Sequence, residues 1–258
     1  MRDTRFKFKA PLRTIDSTTI TMSLYLFRWA KYRKTKSGIK LHFEIDNRHS
    51  LPLFCTMTPG RVHDVKMANL RDYVKGALYA LDRGYFCTEL FEKINKSGAF
   101  FIIRAKSNTQ YRIVKRQART HKSVMADWTI TLTGVHAPEY SGNLRLVRYC
   151  DPVSGEHYDY LTNHTRYAEK TIADIYKSRW DIELFFKWIK QNLKIKSFYG
   201  TSENAVMIQV WAALIAYLLI AMIKFLSRSD QSITHIFRMV TDNLVRKVDL
   251  FALLEGLS

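Results

Sequence analysis

The sequence predicts an α/β fold with a β-rich insertion and a helical C-terminal segment, and three stretches carry that prediction. Runs rich in β-branched and apolar residues at 12–22, 40–57 and 77–81 read as strands in the first third of the chain. From Tyr176 to Lys190, apolar residues recur every three or four positions with no Gly or Pro, and the stretch reads as one long helix. Between them, residues 106–167 hold short apolar runs separated by turn residues. That is too long for a connecting loop, so it reads as an insertion.

Composition sets the outer limits. A chain of 258 residues that is 47% hydrophobic can bury a core and is not an intrinsically disordered segment. Its 41 Lys and Arg against 23 Asp and Glu give a net charge of +18, which points to a polyanionic partner, nucleic acid before anionic membrane. Cys55, Cys87 and Cys150 are far apart without C-x-x-C spacing, so neither a disulfide framework nor a zinc site is indicated. The N-terminus is basic and lacks an apolar run, which argues against a signal peptide and for a cytoplasmic chain. Residues 205–223 approach membrane-spanning length, but Gln209 interrupts them and no second span follows. A buried helix is expected there, and no membrane partner.

Taken in order, Arg2, Arg5, Lys7, Lys9 and Arg13 form a basic arm. Asp16 sits inside the first strand, where an aspartate is unfavourable and no Gly or Pro supplies a turn; a strand-end acid facing solvent is the plain alternative. Residues 28–40 are a basic loop interleaved with Trp29 and Tyr32, a composition suited to a nucleic-acid backbone. A hairpin turns at Asp46, and Asp64 is expected to cap a short helix. The next short strand ends in Asp82-Arg-Gly, a carboxylate at the C-terminal end of a buried strand, where α/β folds often place site residues. A helix at 88–97 and a strand at 99–104 complete a first core segment, 1–105. The insertion, 106–167, opens on a basic run and carries strands near 128–134, 144–150 and 158–162; Trp128 is expected in its core.

The long helix belongs to a third segment, 168–200, with Thr171 and Asp174 resembling a capping box. On a 100°-per-residue wheel started at Tyr176, Arg179, Glu183 and Lys190 fall at about 300°, 340° and 320°. Glu183 is the only carboxylate on that stripe, and it borders a core face of Ile175, Ile182, Phe185, Phe186, Ile189 and Leu193. A carboxylate beside a core needs compensation, which a metal ion would supply. The plain alternative is the charged edge of an amphipathic helix. Segment 201–258 closes the chain with a long apolar helix after Gly200 and a shorter amphipathic one.

Tyr176, Arg179, Glu183 and Lys190 follow the spacing Tyr-x2-Arg-x3-Glu-x6-Lys. That pattern resembles the signature of IS4-family DDE transposases. Asp16-Ser-Thr and Asp82-Arg-Gly-Tyr are similar to the segments bearing that family's two catalytic aspartates. The resemblance implies an RNase H-like catalytic core, a mixed sheet with helices, in which Asp16, Asp82 and Glu183 are catalytic and bind metal. It assigns Tyr176, Arg179 and Lys190 to DNA binding. It further implies two Mg²⁺ or Mn²⁺ ions, cleavage at insertion-sequence ends, and strand transfer into target DNA. The partners would be double-stranded DNA, both transposon ends and target, and a second copy in a homodimer assembled on DNA, at the bacterial nucleoid. Full-length relatives carry an N-terminal end-recognition domain, whereas only fifteen residues precede Asp16. The chain is therefore expected to lack that domain, with Met1 an internal start. An inactive DNA-binding remnant that inhibits an intact transposase is the alternative.

The charge excess predicts DNA binding that weakens by roughly 10³-fold or more between about 50 and 200 mM salt if several phosphates are contacted. Fluorescence anisotropy across that range checks it, and a flat response would contradict a polyanionic partner.

Overall fold

A mixed sheet is built outward from β1 (Leu12–Met22), the strand that carries Asp16. The structure, a computed structural model, describes residues 10–135, 137–192 and 197–246. The expected basic positions Arg2, Arg5, Lys7 and Lys9, the core position Leu193 and the side chain of Tyr32 lie outside the described residues. The chain divides into two compact units, Lys7–Phe186 and Lys187 onward.

In the first unit β1 is followed by β2 (Lys31–Arg33), β3 (Lys36–Asp46) and β4 (Leu51–Pro59), then by α1 (Asp64–Asn69) and β5 (Leu78–Leu81). Next come α2 (Thr88–Lys96), β6 (Phe100–Arg104), β7 (Tyr111–Arg116), β8 (Val124–Leu132), β9 (Leu144–Cys150), β10 (His157–Thr162) and α3 (Glu169–Ser178). The strand order is β2-β3-β1-β5-β6-β10-β9-β8-β7, with β4 also paired to β3. β3 is antiparallel to β1, whereas β5 runs parallel to it with Leu12 opposite Leu78 and Ile15 opposite Leu81. All four β5 residues are buried, as a parallel strand covered on both faces requires.

The insertion is continuous with this sheet. β10 pairs antiparallel with β6 and in turn with β9, so β7 to β10 extend the core sheet sideways. Two buried acids tie it to α3 and to the backbone just before that helix. Asp127 makes a bidentate pair with Arg145 at 2.8 and 2.6 Å, and Arg145 also donates to the Tyr167 carbonyl at 2.6 Å. Glu169, in the first turn of α3, accepts from the Thr120 N–H, from the Thr120 hydroxyl at 2.8 Å and from the His121 N–H at 3.2 Å. Trp128 is only half-buried, with the Arg148 guanidinium 5.5 Å from its ring centroid.

Several expectations are corrected. Arg13 is no part of a free arm: it lies on β1 and pairs with the buried Glu44 at 2.5 Å. The stretch 176–190 is two helices, α3 and α4 (Asp181–Asn192), with a break at Arg179 and Trp180. Across it the N–H groups of Arg179, Trp180, Ile182 and Glu183 each bond three residues back instead of four. The Thr171 capping box is absent as well, since α3 already begins at Glu169. The core face holds despite the break. Ile175, Ile182, Phe185, Phe186 and Ile189 are buried, with Phe185 and Phe186 against Phe43 at centroid distances of 5.2 and 5.5 Å.

In the second unit, α5 (Glu203–Leu226) and α6 (Ile233–Asp242) pack with the end of α4. Trp188 stacks edge-on against Tyr217 and Phe237 and donates to the Thr234 hydroxyl at 2.9 Å. Gly200 is required by close approach, because a Cβ there would stand 2.5 Å from the Ala205 Cβ. α5 is less buried than the helix expected there. Only one stripe, Val206, Val210, Leu214, Tyr217 and Ile220, is buried, while Ile208, Ile215 and Phe225 are exposed. By length and composition α5 alone among the described helices could cross a membrane.

The Asp127–Arg145 pair gives a stability prediction. Arg145→Met leaves a buried carboxylate unpaired and should cost about 3–5 kcal/mol, whereas Asp127→Leu combined with Arg145→Met should recover most of that loss. Urea denaturation of both variants measures the difference.

Candidate active site

Two of the acids are brought together by strand pairing. Asp16 follows Ile15 on β1 and Asp82 follows Leu81 on β5, so both stand one step past the last paired residues of two parallel neighbours. Asp82 also caps the short 3-10 turn 83–85, accepting from the Gly84 N–H at 3.2 Å. Asp16 accepts from the Ser17 N–H at 2.8 Å, which fixes its carboxylate against the strand. The third acid, Glu183, occupies the first turn of α4. The break before α4 thus turns what would be mid-helix into a helix N-terminus, whose dipole favours a carboxylate.

Arg179 lies at the centre of the three acids. Its guanidinium donates to Asp16 Oδ2 at 3.3 Å and to Glu183 Oε1 at 2.8 Å, and stands 4.0 Å from Asp82 Oδ1. Its side chain is 12% exposed, against 19% for Asp16, 34% for Glu183 and 43% for Asp82. Burial alone would push the Arg179 guanidinium down, but the Glu183 hydrogen bond, Tyr176 and the two aspartates hold it above its ordinary value. Tyr176 packs on Tyr160 at 4.8 Å, with the Arg179 guanidinium 5.9 Å from its ring centroid. The structure therefore brings Asp16, Asp82, Glu183, Arg179 and Tyr176 together. Lys190 lies in the last turn of α4, within the second unit.

Burial, first of all, raises the Asp16 carboxyl from 3.8 to about 7. The Ser17 N–H and Arg179 oppose the shift, and the charges of Asp82 and Glu183 reinforce it. Behind Asp16 stands a group that sequence reasoning missed. The Ser17 hydroxyl donates to Asp64 Oδ1 at 2.7 Å, and Lys40 pairs with the same oxygen at 3.1 Å. Asp64 does not make the expected helix cap; His63 holds that position without a side-chain cap, and the Asp64 carboxylate turns back to β1 and β3. Nearby His42 is neutral, lowered to about 4 by burial, and bonds the Thr58 hydroxyl at 2.9 Å. A contact spanning 47 residues leaves no local spacing to read.

The donor set suits a hard divalent cation: three carboxylates, all oxygen, sharing a single guanidinium. Among the described residues no three ligating side chains stand close enough to hold an ion as placed. The acids meet on the Arg179 guanidinium instead.

The mixed sheet with its covering helices is an RNase H-like fold, and it brings together acids from a central strand, the end of its parallel neighbour and an adjoining helix. Among solved structures, a piggyBac transposase determined as a synaptic complex with hairpin DNA shares the fold. The TM-score is 0.54 at 12% identity, covering 90% of this chain and 52% of that one. Residues 7–219 match the family model described as the transposase DDE domain, and the chain belongs to that family. It is 35% identical over 224 residues to a Geobacillus stearothermophilus protein named as a probable transposase for insertion sequence element IS5377. That match covers 85% of this chain and 59% of the relative. It is also 35% identical over 260 residues to the y4zB protein of Sinorhizobium fredii, likewise named as a transposase, covering 98% of this chain and 72% of that one. The chain thus spans about three fifths of the first relative's length.

The Asp16 shift has a measurable consequence. The folded protein keeps a proton that the unfolded chain has released above pH 3.8, so stability falls as pH rises from there to about 7. Without divalent ions, Asp16→Asn should be the more stable protein at pH 8, by on the order of 1–3 kcal/mol, and should approach wild type near pH 4. Urea denaturation at the two pH values reads this directly; a wild-type profile with no fall over the range would contradict it.

Proposed function

We propose that this chain is the catalytic portion of an insertion-sequence transposase that cleaves DNA at the element's ends and joins them to target DNA. The convergence of Asp16, Asp82 and Glu183 on one guanidinium carries the reading. Membership of the DDE family supports it, and the Tyr176, Arg179, Glu183 and Lys190 spacing favours the IS4 group within that family. The natural partner is double-stranded DNA, engaged by a homodimer, in the bacterial cytoplasm at the nucleoid.

Asp16, Asp82 and Glu183 are the ligands for Mg²⁺ or Mn²⁺, taken as two ions. When bound, such ions supply Lewis acidity and offset the charge on the attacking and leaving oxygens of phosphoryl transfer. The Ser17 N–H keeps one Asp16 oxygen oriented, and Glu183 is held in the first turn of α4. Arg179, released from the acids, is placed to hold a phosphate of the cut end through charge-assisted hydrogen bonds, with Tyr176 beside it. The motif assigns a like role to Lys190. Water acts first and frees a 3′-hydroxyl, which then attacks target DNA; no covalent protein intermediate is needed.

Metal-dependent nicking of DNA bearing the cognate ends tests the reading. Asp16→Asn, Asp82→Asn and Glu183→Gln should each cut cleavage by roughly 10²–10³-fold or more while leaving DNA affinity nearly unchanged. Arg179→Ala or Lys190→Ala should weaken cleavage and cut-end binding together. Full cleavage in any of the acid variants would remove that residue from the site.

A further inference from the structure

The break between α3 and α4 is bound by a side chain from elsewhere in the sheet. Asn47, in the turn after β3, is 1% exposed. Its amide donates from Nδ2 to the Ser178 carbonyl at 2.9 Å, across 131 residues. Its Oδ1 accepts from the Thr14 hydroxyl, also at 2.9 Å, and Thr14 is fully buried two residues before Asp16 on β1. The Asn47 N–H donates to the Leu12 carbonyl at 3.0 Å, so its backbone is fixed to the same strand.

The Ser178 carbonyl is the one that the Ile182 N–H would take in an uninterrupted helix. Here Ile182 donates to the Arg179 carbonyl at 3.2 Å, and Asn47 has the Ser178 oxygen. The exchange is stereochemically specific. A side-chain amide satisfies the last carbonyl of α3, and the backbone then tightens to three-residue hydrogen bonds through the turn that carries Arg179. Glu183 follows at the start of a new helix. One buried amide therefore connects the strand bearing Asp16 to the turn bearing Arg179.

We propose that Asn47 is a positioning residue of the active site, holding the α3–α4 break so that Arg179 and Glu183 face Asp16. It touches none of the three acids, and acts through Ser178 on one side and Thr14 on the other. The proposal rests on the reading of those acids as a divalent-metal site, and its test keeps the two separable.

The test compares wild type with Asn47→Asp, which keeps the acceptor for Thr14 and loses the donor to Ser178, and with Thr14→Val, which removes the other bond. Mn²⁺ binding by electron paramagnetic resonance and hydrogen exchange of residues 176–186 are the readouts, with thermal unfolding as a control for folding. Asn47→Asp is expected to fold, to bind Mn²⁺ about 10–100-fold more weakly and to bind it no more weakly when Thr14→Val is added, since both cut the same link. Exchange of the Arg179–Glu183 amides should shift by about ten-fold or more, with β1 and β5 unaffected. Wild-type Mn²⁺ affinity and unaltered exchange in Asn47→Asp would overturn the proposal. If Asn47→Asp does not fold, Thr14→Val decides: weakened Mn²⁺ binding supports the link, and wild-type binding overturns it. If wild type itself takes up no Mn²⁺ the metal reading fails, and the exchange data alone then decide the role of Asn47.

Discussion

Three carboxyl groups and one guanidinium at the edge of a hydrophobic sheet form the balance on which this structure depends. Carboxylates held this near one another repel, and burial makes ionisation costlier still. Asp16 shows the strain most clearly, because its carboxyl stays protonated to about pH 7 even with Arg179 in contact. Rigid backbone is what keeps such a cluster assembled. Two acids are anchored by parallel strand pairing, the third by a helix start, and the counter-ion by the turn between two helices. A guanidinium is a suitable partner here because its planar fork can address several carboxylates at once. It is also bound through hydrogen bonds that a stronger cation could replace.

The insertion adds a second constraint. Because β10 is hydrogen-bonded to β6, the strands of segment 106–167 are no swinging appendage. Arg145 and Glu169 extend that continuity to the backbone just before α3 and to its first turn. The α3 helix is thereby held at both ends, by the insertion at its start and by Asn47 at its last carbonyl. Movement of the insertion relative to Arg179 requires these buried bonds to break.

Much of this was legible in the sequence, for identifiable reasons. Asp16 stood out because an aspartate is unfavourable inside a strand, Asp82 because it ends a buried strand, and Glu183 because it is the one carboxylate on a helical stripe beside the core. The insertion strands were readable from alternation between turn residues, and they match β8, β9 and β10 within a few residues. The failures share one cause. The break at Arg179 follows Ser178, whose carbonyl is taken by Asn47 from 131 residues earlier in the chain, so local periodicity reads straight through it. Asp64 looked like a cap because a cap is the local use of such a residue, whereas its partners are Ser17 and Lys40. Arg13 looked like part of a charged arm, but its partner Glu44 is buried on the adjacent strand. For the C-terminal helix α5, overall hydropathy predicts burial but not which faces find neighbours, and only one stripe does.

The strand order has a geometric consequence. Adjacent strands in a sheet rotate by about 20–25° on average in a constant sense, and five such steps separate β5 from β7, about 100–125° in total. β7 is the edge strand, and Arg112, Lys115 and Arg116 lie along it, all exposed. A sheet with that average twist would turn its cationic border across the direction of the strands that carry Asp16 and Asp82. An extended polyanion following that border would cross those strands transversely, meeting the acids at one point of its length instead of sliding along them.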